Sequence, residues 1–256
     1  MPRFAANLGY LFPEHDFLDR FAAAREAGFR AVEFAAPYPH VPREIAARLR
    51  DNGLECILFN LPMGPPGAFG IGCRPERVAE FNEGVERALE YAAALGTRRI
   101  NCISGTTAEG DDRELCQRTL VANLRHAAGR LALAGIELVI EPINSHDVPG
   151  FFVPTVARAA QVIEEVSAPN FGLQCDLYHT AMMGDDPSSI LSAHRGIIRH
   201  IQFADVPGRH EPGTGTLDFA QLFAKIDRLG YEGWVSAEYR PSKATRETLH
   251  WFHPEA

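Results

Sequence analysis

Four oxygen-bearing side chains stand at the ends of apolar segments in the second half of the 256-residue chain. Glu141 closes Leu-Val-Ile-Glu and Asp176 closes Leu-Gln-Cys-Asp, while Gln202 follows Arg-His-Ile and Glu238 follows Val-Ser-Ala. The intervals between them are 35, 26 and 36 residues, each close to the length of one strand-helix unit. If these segments are neighbouring parallel strands, the four side chains meet at one edge of the sheet.

Such a convergence predicts a metal site. A carboxylate that ends a buried strand is costly unless it is paired, hydrogen-bonded or bound to a cation. Each acid could instead cap a helix or pair with an arginine outside the sheet, but matched positions on successive strands favour one shared cation. Ligands that are all oxygen suit Mg²⁺ or Mn²⁺ better than zinc. Glu141, Asp176, Gln202 and Glu238 are therefore predicted ligands of Mg²⁺ or Mn²⁺.

Two further side chains are placed to act beside this site. His179 follows Asp176 by three residues, so it would lie over the ligands rather than serve as a surface or core histidine. Arg209 stands in a loop rich in proline and glycine, residues 204–215, where it could clamp a substrate carboxylate with two hydrogen bonds. The alternative for Arg209 is an exposed pair with Glu211. His200, two residues before Gln202, should lie one layer deeper on the same face.

Short β-type segments alternate with longer amphipathic ones along the chain. The spacing predicts eight strands and two long helices over 77–95 and 112–134, and the pattern of Phe17, Phe21 and Ala24 opens a shorter helix. Glycines before strands are placed to end helices, at positions 28, 53, 96, 135 and 230. The predicted strands are Phe4–Leu8, Ala31–Phe34, Leu54–Asn60, Arg99–Ile103, Ile136–Glu141, Phe171–Asp176, Arg199–Phe203 and Trp234–Tyr239.

Eight strands that alternate with helices predict an α/β fold of the (β/α)8 TIM-barrel class, as one domain over residues 1–256. The rival is an open doubly wound sheet, which would usually carry a G-x-G-x-x-G motif after its first strand. That motif is missing there, and we find no composition break that would mark a linker.

The composition excludes several classes of partner. A formal net charge of −8 argues against a nucleic-acid backbone but allows a small anionic substrate held by local arginines. No apolar run reaches the roughly 18–20 residues of a membrane span, and the N-terminus lacks a signal-peptide core. Five cysteines without a C-x-x-C spacing predict reduced thiols and a cytoplasmic protein. A homo-oligomer is compatible with these features.

Several phrases, in order along nearly the whole chain, resemble the hydroxypyruvate isomerase family within the xylose-isomerase-like TIM barrels. They include Arg3 to Leu8, Val32-Glu33-Phe34, Asn60-Leu61-Pro62-x-Gly64, Glu141-Pro142-Ile143-Asn144, Asp147 to Phe151, Asp176-Leu177-Tyr178-His179, Glu211-Pro212-Gly213-Thr214-Gly215 and Gly233-Trp234 with Glu238-Tyr239.

The resemblance implies an isomerase that interconverts hydroxypyruvate and tartronate semialdehyde. It implies that Glu141 and Glu238 are catalytic acids as well as metal ligands, and that His179 and Arg209 contact the substrate. The similar 2-oxo-tetronate isomerases share almost all of these phrases, so a small hydroxy-keto acid is the expected substrate class. Sugar 3-epimerases, apurinic endonucleases and a non-enzymatic binding barrel are the alternatives.

Overall fold

The computed structural model describes residues 1–65 and 67–253, and its strands close into one parallel barrel in chain order. Each strand pairs with the next, and the first strand also pairs with the last, from Arg3 opposite Trp234 to Ala6 opposite Ala237. The barrel class predicted above is confirmed. The strands are β1 (Arg3–Asn7), β2 (Ala31–Phe34), β3 (Glu55–Asn60), β4 (Arg99–Cys102), β5 (Glu137–Ile140), β6 (Phe171–Asp176), β7 (Ile198–Phe203) and β8 (Trp234–Ala237).

Helices cover the outside of the barrel. The apolar residues of these helices pack against the outward faces of the strands in one large core. A small apolar cluster inside the barrel, which includes Ala5 and Val139, lies two residues below Asn7 and Glu141 on their strands. The helices are α1 (Arg20–Glu26), α2 (Pro42–Asn52), α3 (Val78–Leu95), α4 (Arg113–Ala132), α5 (Val156–Val166), α6 (Leu177–Met182), α7 (Pro187–Ala193) and α8 (Phe219–Arg228).

Element boundaries differ from the predicted ones by a few residues. Strands β5 and β8 stop just before Glu141 and Glu238, so both carboxylates belong to the loops that leave the barrel. Helix α4 ends at Ala132, and Leu133 beyond it is 81% exposed. Leu115, in the first turn of α4, is 40% exposed.

The five glycines predicted to end helices all adopt a positive φ, between 59° and 102°. Gly53 and Gly96 directly cap α2 and α3 in the left-handed conformation, and each frees the chain to turn back toward a strand. This conformation disfavours a Cβ, which explains why glycine recurs at these positions.

The segment after β8 departs from the regular pattern. Between Glu238 and residue 253 the chain forms a 3-10 turn, Thr245–Thr248, rather than an α-helix. Trp251 then packs edge-to-face on Phe4 of β1 and Phe203 of β7, with ring centroids 5.2 and 5.0 Å apart. Aromatic packing therefore covers the outside of the barrel next to β1 and β7 after the last strand.

All five cysteines are buried and free, and burial raises the pKa of Cys56, Cys102 and Cys175 to about 12. In the described part of the chain no helix is both long and apolar enough to cross a membrane.

We predict that Phe203→Ala lowers the free energy of unfolding by about 3–5 kcal/mol, because it empties the centre of this aromatic cluster. Phe203 has no exposed surface, and its ring also contacts Phe219 and Phe223. Chemical denaturation measures the change. Leu133→Ala is the matched control, since that side chain is largely exposed, and equal stability of the two variants would contradict the packing described here.

Candidate active site

A cavity of about 480 Å³ opens at the carboxyl ends of the strands. The loops after the strands form its walls, as is usual for the functional face of a TIM barrel. Apolar side chains line one side, including Met63, Phe69, Ile103, Ile143 and Val148, and charged groups line the other, including Glu141, Asp147, His179, Arg209, Glu238 and Arg240.

Three of the predicted site residues form a compact buried group. Atoms of Glu141, Asp176 and His179 that could ligate a metal ion all lie within 4.8 Å of one another. His179 Nε2 lies 3.5 Å from Asp176 Oδ2 and 3.8 Å from Glu141 Oε1. Asp176 also caps the short helix α6 by accepting from the backbone N–H of Tyr178, which sets its carboxylate at the top of β6.

Arg209 connects Glu238 to this buried group. Arg209 Nη2 donates to Glu238 Oε2 at 2.6 Å and lies 3.5 Å from Asp176 Oδ2. The alternative pairing of Arg209 with Glu211 is not formed, because Glu211 accepts instead from Ser242. Arg209 thus links the carboxylates of two predicted ligands.

Gln202 lies between two layers of the barrel interior. Its Nε2 donates to Glu238 at 3.2 Å and to Glu33 at 2.6 Å, and its Oε1 accepts from Gln174 at 2.6 Å. His200 lies one layer deeper as expected, fully buried, with Nε2 2.6 Å from Glu33 Oε2. The amide oxygen of Gln202 therefore points away from Glu238 and toward Gln174.

Each of the two predicted catalytic glutamates is held by an asparagine from the adjacent strand. Asn7 Nδ2 donates to Glu238 Oε1 at 2.7 Å, and Asn101 Nδ2 donates to Glu141 Oε2 at 3.1 Å. Asn7 also donates to Glu33 at 2.9 Å. These bonds use one oxygen of each glutamate and set the orientation of its carboxylate.

The sequence analysis did not assign Asn7, Glu33, Asn60 or Asn101 to the site. A carboxylate within the apolar segment Ala31-Val32-Glu33-Phe34 was the clearest signal that it missed. With these residues every strand contributes a buried polar side chain at its carboxyl end. The ring consists of Asn7, Glu33, Asn60, Asn101, Glu141, Asp176, Gln202 and Glu238.

The loop after β7 is organised by one buried carboxylate. Asp205 accepts hydrogen bonds from the backbone N–H groups of Val206, Gly213, Gly215 and Leu217. A Cβ at Gly215 would lie 1.9 Å from the carbonyl oxygen of Val206, so this close approach requires glycine. The loop folds back on itself and presents Arg209 to the cavity.

Arg209 itself adopts an unusual backbone conformation for a residue with a side chain, with φ of 56°. Its N–H donates to the carbonyl of Asp205 at 2.9 Å, and its carbonyl accepts from the N–H of Arg240 at 2.8 Å. The guanidinium lies between the rings of Tyr10 and Tyr178, with its carbon 4.8 Å from each ring centroid. Backbone strain held by such contacts is typical of functional positions.

The electrostatics of the site reflect crowding of like charges. Burial and the nearby Glu238 and Asp176 raise the pKa of Glu141 well above its ordinary value. Burial raises the pKa of Glu238 to about 8 although Arg209 opposes the shift. Burial also raises the pKa of Asp176, against the effect of Arg209. One guanidinium therefore does not compensate three buried carboxylates.

These residues fit a divalent cation. Asp176 Oδ2 is buried without a hydrogen-bond partner in the described residues, and it faces the Glu141 and His179 atoms named above. A positive charge among the carboxylates would return their pKa values toward the ordinary range. The group can therefore bind a metal ion.

The hydrogen bonds around His179 assign its neutral tautomer. Asn144 Oδ1 accepts from the backbone N–H groups of His146 and Asp147, which turns its Nδ2 toward His179 Nδ1 at 2.6 Å. Since Nδ2 is a donor, Nδ1 must accept, and the ring proton resides on Nε2. Burial and the nearby Arg209 lower the pKa of His179 well below its ordinary value, so the ring stays neutral. In this tautomer Nε2 cannot ligate a cation, so the carboxylates of Glu141 and Asp176 are the metal-binding atoms of that group, and His179 directs an N–H donor toward them and the cavity.

Three loop histidines, His40, His146 and His210, are not among the described residues that line the cavity. His40 stacks on Phe17, and His210 bonds to the carbonyl of Arg240 through Nδ1. His146 is an exposed residue of the loop after β5.

We predict that Asn144→Asp changes the protonation of His179, because the new Oδ2 can accept from the ring but cannot donate to it. Nitrogen-15 NMR of the imidazole should show Nδ1 without a proton in the wild type and with a proton in the variant. His200 provides an internal control, since it lies away from Asn144 in the barrel interior. A protonated Nδ1 in the wild-type protein would contradict the assignment.

Two bacterial isomerases are similar to this chain over almost its full length. The chain is 44% identical over 256 residues to the 2-oxo-tetronate isomerase of Cupriavidus necator, with 99% of this chain and 98% of the relative covered. It is 43% identical over 256 residues to the hydroxypyruvate isomerase of Escherichia coli, with 99% of each chain covered. A crystal structure of AP endonuclease, family 2 from Brucella melitensis aligns with a TM-score of 0.96 at 42% identity and covers 98% of each chain.

The resemblance seen in the sequence motifs is confirmed by these relatives and by a family match that spans residues 21–254. The chain belongs to the xylose isomerase-like TIM barrel family.

Proposed function

We propose that this protein is an isomerase of the hydroxypyruvate or 2-oxo-tetronate type, and that it interconverts hydroxypyruvate and tartronate semialdehyde through an enediolate. The observation that carries the proposal is the pair of buried glutamates, Glu141 and Glu238, which are held by Asn101 and Asn7 and line the same cavity. The two relatives named above support the substrate class.

The reaction moves a carbonyl between adjacent carbons. One glutamate removes a proton from C3 of hydroxypyruvate, which carries the hydroxyl group, and the C2 carbonyl becomes part of the enediolate. The other glutamate delivers a proton to C2, and a proton transfer between the two oxygens leaves an aldehyde at C3. Positioned acid–base groups of this kind typically contribute about 10²–10⁴-fold each.

Other residues bind and orient the substrate in this scheme. His179 donates its Nε2–H to a substrate oxygen, and Arg209 contacts the substrate while it holds Glu238 in place. The apolar wall of the cavity excludes water from the reacting carbons. Glu141, Asp176 and Glu238 would hold Mg²⁺ or Mn²⁺ through their carboxylates, and Gln202 is the fourth ligand that the sequence predicts. A bound ion of this kind supplies positive charge that stabilises the negative charge of the enediolate.

A 2-oxo-tetronate is the second candidate substrate. The cavity of about 480 Å³ has room for a fourth carbon, and identity to the two kinds of isomerase differs by one percentage point, 44% against 43%. Assays with both acids, with and without added metal, decide between them.

A DNA-cleaving role is less well supported, although the Brucella structure carries an endonuclease name. The net charge of −8 opposes binding to a phosphate backbone. Among the residues described, a single cluster of acidic and histidine side chains is compact enough to hold an ion, and it contains one histidine. Absence of DNA binding at low salt would agree with this conclusion.

We predict that Glu141→Gln and Glu238→Gln each lower kcat by at least about 10²-fold, because each removes a proton-transfer group. Initial rates with hydroxypyruvate and a 2-oxo-tetronate measure the effect, and circular dichroism checks the fold. Glu114→Gln on α4 is the control, since its side chain is 84% exposed. In deuterated water the product should carry deuterium at C2. Full turnover in either site variant, or product without solvent label, would refute the two-base scheme.

We also predict that the metal-free protein loses stability as pH rises from about 5 to about 8.5. A carboxyl whose pKa is raised by folding stabilises the folded state below the unfolded pKa, near 4.5, and this stabilisation is lost as pH passes the folded value, about 8 for Glu238. Urea unfolding after treatment with a chelator should show a loss of at least about 1 kcal/mol.

Two comparisons test the origin of that loss. Glu238→Gln should reduce the pH dependence of the free energy of unfolding, whereas Glu114→Gln should leave it unchanged. Added Mn²⁺ should stabilise the protein more at pH 8.5 than at pH 5, because the carboxylates that it would neutralise are ionised there. A metal-free protein with stability that is constant over this range would contradict the electrostatic description.

A further inference from the structure

A second guanidinium, that of Arg240, lines the cavity beside Arg209. We propose that Arg240 binds the carboxylate of the substrate and so makes the enzyme select hydroxy-keto acids over neutral hydroxyketones. This inference rests on the function proposed above and adds the residue that recognises the acid group.

Arg209 is poorly suited to be the main carboxylate receptor. Its Nη2 already donates to Glu238 at 2.6 Å and lies 3.5 Å from Asp176, and its Nη1 lies 3.9 Å from Asp147 Oδ2. Three carboxylates of the protein thus surround this cation before a substrate enters. A fourth carboxylate placed there would meet more negative than positive charge.

Arg240 differs from Arg209 in having an anchored backbone and a free head group. Its N–H donates to the carbonyl of Arg209 at 2.8 Å, and its carbonyl is 2.7 Å from His210 Nδ1. Within residues 1–65 and 67–253 its guanidinium makes no hydrogen bond or ion pair, and the residue is exposed at the mouth of the cavity. Backbone hydrogen bonds therefore fix the position of Arg240 in the loop, and the N–H donors of its guanidinium remain available to a ligand.

The acidic residues at the reacting end favour such a group for an acid substrate. The reacting end must lie among Glu141, Asp176 and Glu238, which repel an anion. His179 contributes a neutral donor there, since Asn144 assigns its tautomer. An arginine at the mouth, two residues beyond Glu238, can pair with the carboxylate in a bidentate manner and keep it away from the acidic interior. A neutral hydroxyketone has no carboxylate and does not need this arginine to bind.

The test compares acids with a neutral analogue. In Arg240→Gln the KM for hydroxypyruvate and for a 2-oxo-tetronate should rise by about 10- to 100-fold, with kcat changed much less. The inhibition constant of dihydroxyacetone, in which a hydroxymethyl group replaces the carboxylate of hydroxypyruvate, should stay within about twofold. Arg240→Lys should recover part of the affinity because it keeps the charge. Arg228→Gln on α8 is the matched control, since Arg228 is an exposed arginine outside the cavity.

Binding of pyruvate, measured by calorimetry, separates this inference from the proposed function. Pyruvate carries the carboxylate but lacks the hydroxyl group needed for isomerisation. If the wild type isomerises neither acid, the proposed function fails, and weaker pyruvate binding in Arg240→Gln still supports carboxylate recognition. Three results would each overturn the inference. The first is an unchanged KM together with an unchanged pyruvate affinity in Arg240→Gln, and the second is an equal loss of affinity for dihydroxyacetone in that variant. The third is no binding of pyruvate by the wild type.

Discussion

The burial of three carboxylates around one guanidinium is the interaction on which the site depends. Glu141, Asp176 and Glu238 are buried and repel one another, and Arg209 offsets part of that repulsion. Such an arrangement is unfavourable for folding alone, because apolar groups in the same positions would avoid the desolvation. The proposed isomerase reaction, which would need a cation, a proton acceptor and a proton donor close together, accounts for this cost.

Different layers of the barrel stabilise the fold and hold the crowded carboxylates. The apolar outer core, between strands and helices, provides the burial that stabilises the fold. Inside the barrel, a buried polar side chain lies at or next to the carboxyl end of each strand, and amides such as Asn7 and Asn101 hold the glutamates from the neighbouring strand. The loop after β7, closed on Asp205, carries Arg209 to the same point. Hydrogen bonds that satisfy the buried groups thus also orient them for reaction.

Much of the fold and part of the site could be predicted from local pattern. Strand number, order and centres followed from apolar runs and glycine caps, since these depend on periodicity and backbone preference. The role of Asn101 could not be read in this way, because an asparagine that ends a strand has the same local signal as one in a turn. The aromatic cover by Trp251 was missed for a related reason, since its partners on β1 and β7 are distant in sequence.

The sequence by itself determined the barrel class, the family and the positions of Glu141, Asp176, Gln202 and Glu238 at strand ends, because strand periodicity and chain order are local properties. The tertiary structure alone decided which groups compensate each other's charge. Pairing of Arg209 with Glu238, orientation of His179 by Asn144 and the free guanidinium of Arg240 all depend on distances between separate loops. Electrostatic interactions and hydrogen bonds act through space over a few ångströms, and spacing along the chain does not encode those distances.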